Sequence, residues 1–139
     1  MAKKTHIVSL HKYWIWANKF KSCFEYSLKS LSHKKARQIT LTEDWVIFMS
    51  YWYSALYVVI EGWKQLKLTD AKINVMLRSR DIGFLKKYRH GVVHFQSNYF
   101  SERFDDFISS RKGKSALWIR MLHDEFGRFF LEWHKQQKS

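Results

Sequence analysis

Residues 45–60 read WVIFMSYWYSALYVVI and contain no charged side chain. A helix of this length spans about 24 Å, which is shorter than the ~30 Å hydrocarbon core of a bilayer. Glu43, Asp44 and Glu61 lie close outside the stretch. Because three other segments offer apolar faces that could cover it, we interpret the stretch as a buried helix of a bundle and not as a membrane span.

The composition supports a helical core around this stretch. The chain has 139 residues, of which 46% are hydrophobic and 18% aromatic, but it contains no proline and only five glycines. So few turn-forming residues argue against a sandwich or barrel of many short strands. We therefore predict one all-α domain over residues 1–139, built as a compact bundle of four or more helices.

Apolar residues at every third or fourth position predict the first helix over residues 9–31. The second helix is expected to begin at a capping box formed by Thr40 and Glu43, and to run to about Leu66. We expect this second helix to carry the centre of the core.

Three further helices follow in the predicted order. Thr69 or Asp70 is expected to cap a short third helix, the fourth begins near Asp81, and the last begins at Ser115. The expected core positions are Leu85, Tyr88, Val92 and Phe95 in the fourth helix, and Leu117, Met121, Leu122, Phe126, Phe129, Phe130 and Trp133 in the last.

The charge predicts a polyanionic partner. Lys and Arg number 25 against 12 Asp and Glu, which gives a net charge of +13. Residues 1–40 alone have nine basic residues and one acidic residue, a net charge of +8. We favour nucleic acid as the partner over an acidic membrane, an acidic protein or a role of the charge in solubility alone. The expected RNA contacts are Lys34, Lys35, Arg37, Lys86 and Lys87.

The single cysteine, Cys23, excludes an internal disulfide and a cysteine-based zinc site, and we expect it to contribute to packing. The N-terminal residues contain no apolar run long enough for a signal peptide. A cytoplasmic location is therefore expected.

The most unusual segment is residues 85–96, LKKYRHGVVHFQ, in which one arginine and two histidines lie within a helical pattern. At 100° per residue, His90 and His94 fall on the side opposite the predicted core stripe, and Arg89 falls at its edge. Val93 lies on the side of the histidines. This arrangement indicates a surface that contacts a ligand or a second chain, and solvated surface histidines are the simpler alternative.

This segment resembles the HEPN domains (higher eukaryotes and prokaryotes nucleotide-binding), whose ribonuclease members carry an arginine, four to six further residues and a histidine. Arg89 and His94 match that motif with four residues between them, and His90 occupies the polar position that often follows the arginine. Residues 57–70, YVVIEGWKQLKLTD, are also similar to a bacterial subgroup of the family.

The resemblance implies a metal-independent endoribonuclease that acts as a homodimer, with Arg89, His94 and His90 in one composite site and with no cofactor. It further implies a toxin or defence nuclease, with an antitoxin or another regulatory protein as a possible partner. In family members that are paired with a nucleotidyltransferase, a tyrosine commonly lies two residues after the histidine. Gln96 stands at that position here.

Several alternatives remain open at this point. His90 and His94 could both bind a metal, but no carboxylate lies at a spacing that would complete the site. Glu61 could serve a site or simply pair with a cationic side chain. The alternative functions are a HEPN-like module that binds nucleotide or RNA without catalysis, and a nucleic-acid-binding protein that displays lysines on its helices.

Overall fold

A computed structural model describes residues 2–31, 41–99 and 113–138. These residues form five helices: α1 (Lys4–Leu31), α2 (Asp44–Gln65), α3 (Ala71–Met76), α4 (Asp81–Val93) and α5 (Lys114–Gln137). Strands are absent from the described ranges, so the all-α prediction is confirmed. None of the five helices combines the length and the apolarity that crossing a bilayer requires.

The charge-free stretch forms most of α2, which packs along α1 on one side and against α4 on another. The α1 and α2 helices are antiparallel, since Leu10 lies against Gly62 at one end and Phe24 lies against Trp52 at the other. The α5 helix also contacts α1 and α3. Trp63 of α2 meets Phe126 of α5 edge to face, with ring centroids 5.5 Å apart. The core therefore lies where α1, α2 and α5 meet.

The predicted start of α2 is wrong. Its N-cap is Glu43, whose side chain accepts a hydrogen bond from Trp45 Nε1 at 2.6 Å and does not cap the helix. A capping box requires this glutamate inside the first turn, but it precedes the helix. Thr40 lies outside the described residues. The predicted cap of α3 is confirmed, because Asp70 accepts hydrogen bonds from the amides of Lys72 and Ile73.

The predicted core positions need correction in two helices. Phe95 lies beyond the end of α4 and is 94% exposed, although Leu85 and Tyr88 are fully buried as expected. In α5, Leu117 and Met121 are exposed, whereas Trp118 and Ile119 are buried beside the expected Leu122, Phe126 and Phe130. The buried face of α5 is therefore rotated from the predicted one in its first two turns.

A buried histidine joins the three central helices. His123 of α5 is only 1% exposed, its Nδ1 accepts a hydrogen bond from Trp52 Nε1 at 3.0 Å, and its Nε2 lies 2.9 Å from Asn18 Oδ1. Because the indole N–H can only donate, Nδ1 must be unprotonated and Nε2–H donates to Asn18. The His123 carbonyl in turn accepts a hydrogen bond from Trp14 Nε1 at 3.0 Å. One neutral imidazole thus binds α5 to both α1 and α2.

Gly127 allows α5 to approach α1 closely. A Cβ atom at this position would lie 2.7 Å from Cζ2 of Trp14, and that ring is held by its bond to the His123 carbonyl. We expect Gly127→Ala to lower the free energy of unfolding by about 1–3 kcal/mol, because the ring must move and its hydrogen bond is strained.

Gly83 provides the matched control for this substitution. It also lies inside a helix, but a Cβ atom there would meet nothing within 4 Å. Gly83→Ala should therefore raise the free energy of unfolding by up to about 1 kcal/mol through helix propensity alone. Urea denaturation followed by circular dichroism measures both values, and two substitutions with the same sign would contradict this account.

The neutral state of His123 predicts acid sensitivity. Burial, followed by the charge of Lys21, lowers the pKa of His123 from 6.5 to about 3. The unfolded chain therefore takes up this proton at a higher pH than the folded chain. The contribution of neutral His123 to the free energy of unfolding should be complete above about pH 6.5. Between that pH and pH 3 it should fall by about 1.4 kcal/mol per pH unit.

The non-titrating variant His123→Gln tests this prediction. Its amide can accept from Trp52 and donate to Asn18, so denaturation series at several pH values should show a shallower dependence between pH 6.5 and 4 than the wild type. His6→Gln, at an exposed position of α1, serves as the control. An unchanged pH dependence in His123→Gln would show that other groups cause the acid sensitivity.

Candidate functional site

The candidate site lies at the carboxyl end of α4. The helix ends at Val93, and His94 is its C-cap in an extended conformation, with φ −122° and ψ 135°. The His94 amide still donates to the carbonyl of His90 at 3.0 Å. The expected continuation of the helix to Phe95 is therefore wrong, and His94 begins the segment that leaves the helix.

The two motif histidines lie side by side. The ring centroids of His90 and His94 are 4.4 Å apart and the ring planes are inclined by 36°. Both side chains are exposed, which agrees with the predicted side of the helix. Two exposed imidazoles of one chain thus lie at the same surface point.

Arg89 turns away from this pair and toward α2. Its Nη2 lies 3.6 Å from Oε1 of Glu61, and its guanidinium carbon lies 5.5 Å from the ring centroid of Tyr57. Burial and the charge of Glu61 raise the pKa of Tyr57, so its hydroxyl stays protonated at neutral pH. Of the two roles left open for Glu61, the structure supplies the ion pair. The arginine is thus held against α2 by a carboxylate and a ring.

The cationic residues predicted to bind RNA divide into two groups. Lys86 and Lys87 are exposed on α4, one turn before the histidines. Lys34, Lys35 and Arg37 lie outside the described residues. Gln96 lies next to the site, where its Nε2 donates to the carbonyl of His94 at 3.0 Å.

An open groove of about 440 Å³ between α1 and α2 adjoins the arginine. Its lining combines apolar residues, among them Leu10 and Val58, with the polar residues His6, Ser9, Tyr13, Glu61 and Gln65. The sequence pattern named only Glu61 of this set. The other residues could not be identified from the sequence, because they come from two helices and only the antiparallel packing of α1 on α2 brings them together.

Two further histidines of the described residues have structural contacts. His11 of α1 and His134 of α5 share a hydrogen bond of 3.0 Å between Nδ1 and Nε2, and the His11 ring stacks on Phe130. Burial, followed by the neighbouring His134, lowers the pKa of His11. Across residues 2–31, 41–99 and 113–138, no group of three or more His, Cys, Asp and Glu side chains is arranged to hold a metal ion.

Comparison with known proteins adds no further assignment. No protein-family model matches the chain, and neither the curated proteins nor the solved structures contain a significant match.

Proposed function

We propose that this protein is a metal-independent endoribonuclease of the HEPN type that acts as a homodimer, with His90, His94 and Arg89 in its active site. The observation that carries the proposal is the adjacent pair of exposed imidazoles, 4.4 Å apart, next to an arginine in the Arg-x4-His motif. We further propose that the enzyme serves as a toxin or a defence nuclease.

The residue types suit the cleavage of RNA by its own 2′-hydroxyl. This reaction needs a base that removes the hydroxyl proton, an acid that protonates the leaving 5′-oxygen, and positive charge beside the pentacoordinate phosphorus. Imidazole can act as acid or base near pH 7. In the proposed mechanism His94 is one member of the acid–base pair, and Arg89 contacts the phosphate.

The position of the site makes the cationic side chains necessary. The carboxyl end of a helix carries a partial negative charge of about half a unit, which repels a phosphate. Lys86, Lys87 and Arg89 on the last turns of α4 offset that charge. The net charge of +13 attracts RNA to the protein as a whole.

Arg89 and the two histidines of one chain point in different directions, so a second protomer would be needed to bring an arginine and a histidine to the same phosphate. Within one chain Arg89 lies against Glu61 and Tyr57, whereas His90 and His94 contact each other. Val93 and Phe95, next to the histidines, are 51% and 94% exposed, and exposed apolar side chains of this kind are typical of contact surfaces. In the proposed dimer this surface is buried, so that the motifs of both chains face one substrate.

Loss of either motif side chain should abolish most of the activity. We expect His94→Ala and Arg89→Ala each to reduce the rate of RNA cleavage by about 10²-fold or more, because general acid–base catalysis alone contributes about 10²–10⁴-fold. The products should carry a 2′,3′-cyclic phosphate and a 5′-hydroxyl, and a chelator should not change the rate. Gel assays on a labelled single strand, with mass spectrometry of the ends, measure these outcomes.

His134→Gln is the matched control, because this histidine contacts His11 and Trp133 away from α4. Undiminished cleavage by folded His94→Ala protein would refute the assignment, as would complete inhibition by a chelator. Binding of RNA without cleavage by the wild type would instead favour the non-catalytic module.

The dimer can be tested through its apolar residue. Phe95→Asp should shift the protein from dimer to monomer at micromolar concentration, because it places charge in a surface that the dimer buries. Analytical ultracentrifugation measures this shift. Leu131→Asp, at an exposed position on α5, is the control and should remain dimeric. A monomeric wild type at the same concentration would contradict the proposed arrangement.

A further inference from the structure

The groove between α1 and α2 is connected to the proposed active site through a single side chain. Glu61 forms part of the groove wall and also lies 3.6 Å from Arg89. If Arg89 contacts a phosphate of bound RNA, a base adjacent to that phosphate lies within reach of Glu61. The groove is therefore placed to hold a nucleobase.

Glu61 retains acceptor capacity after its contact with Arg89. The contact between Oε1 and the guanidinium is longer than a normal hydrogen bond, and the side chain is 51% exposed. A carboxylate has two oxygens and about four lone-pair sites, all of which accept and none of which donates. The carboxylate therefore favours a ligand that presents two adjacent hydrogen-bond donors along one edge.

Gln65 supplies a complementary group one turn later in α2. Side chains at positions i and i+4 of a helix lie on the same face, about 5–6 Å apart at Cβ. Both Glu61 and Gln65 line the groove. The amide of Gln65 can donate a hydrogen bond, so the wall offers an acceptor pair beside a donor.

We propose that this groove is a base-binding subsite for guanine in the RNA substrate. The Watson–Crick edge of guanine presents N1–H and N2–H to a carboxylate, with the O6 acceptor beside them for the Gln65 amide. Adenine and cytosine would each place an unprotonated ring nitrogen against Glu61, and uracil has a single donor between two carbonyls. The inference rests on the proposed ribonuclease function for its substrate, although the binding itself can be measured separately.

The rest of the groove suits a planar base. Leu10 and Val58 contribute apolar side chains to its lining, and Tyr13 contributes an aromatic one. Bases stack readily on aromatic side chains of proteins that bind single strands. The ammonium group of Lys12 lies 4.6 Å from the centroid of the Tyr13 ring, so a cation is next to the residues that line the groove.

Binding of free mononucleotides provides the test. Guanosine 5′-monophosphate should bind to the wild-type protein about tenfold or more tightly than adenosine 5′-monophosphate, as expected when a bidentate contact discriminates between bases. Inosine 5′-monophosphate, which lacks the N2 amino group, should bind with intermediate affinity. NMR titration measures the affinities and identifies the residues whose signals shift.

Two variants address the groove and one serves as a control. Glu61→Gln should remove the preference for guanine over adenine. Ser9→Trp, which places a large ring among the residues that line the groove, should weaken binding of guanosine monophosphate tenfold or more. Glu132→Gln is the matched control, because this exposed glutamate also pairs with an arginine, 3.0 Å from Arg128 Nη1. It should bind like the wild type.

The outcomes separate this inference from the proposed function. Equal affinities for the guanine and adenine nucleotides, or shifts that avoid the groove, would overturn the subsite even if RNA is cleaved through His94. Selective binding of guanosine monophosphate that is retained in His94→Ala would support the subsite, and it would do so even if the wild type proved unable to cleave RNA.

Discussion

The packing of the bundle depends on keeping the His123 imidazole neutral in its interior. A neutral ring has one donor and one acceptor, which match Asn18 of α1 and Trp52 of α2. A protonated ring would direct an N–H group at the Trp52 N–H, and two donors would then face each other in a region from which water is excluded. Because the same residue also binds Trp14 through its carbonyl, the positions of α1, α2 and α5 are coupled at one point. The closeness of α5 to α1 at Gly127 follows from this arrangement.

The fold class could be predicted from the sequence because the signal is redundant. The charge-free run at residues 45–60 has a helical length, and several other segments repeat apolar residues at the same period. The cap at Asp70 was also predictable, since it requires only a side chain at the right position relative to the next amides. The positions of His123 and of the groove were not predictable, because both depend on which faces of three helices meet.

Periodicity fails at helix ends for a physical reason. Phe95 continues the three–four spacing of Leu85, Tyr88 and Val92, yet the helix stops at Val93. The spacing shows which residues share a face as long as the helix continues. Where the helix ends depends instead on how its last carbonyl groups are capped. No proline or glycine follows Val93 directly, so the sequence lacks the usual stop signal. The early end is what places Phe95 in solvent. The rings of His90 and His94 remain adjacent, although His94 is the C-cap and not part of the helix.

The contact between Arg89 and Glu61 links the two surfaces that the proposals concern. In the free protein the ion pair and the Tyr57 ring hold the guanidinium against α2, which limits its freedom before any substrate is present. The carboxylate lies between the arginine and the groove, so a ligand group that binds Glu61 changes the charge that Arg89 experiences. A donor edge that binds the remaining acceptor sites of Glu61 would withdraw negative charge from the guanidinium and would thereby favour movement of Arg89 toward a phosphate. The occupancy of the proposed base site and the position of the arginine that we propose to be catalytic would then be coupled through one glutamate.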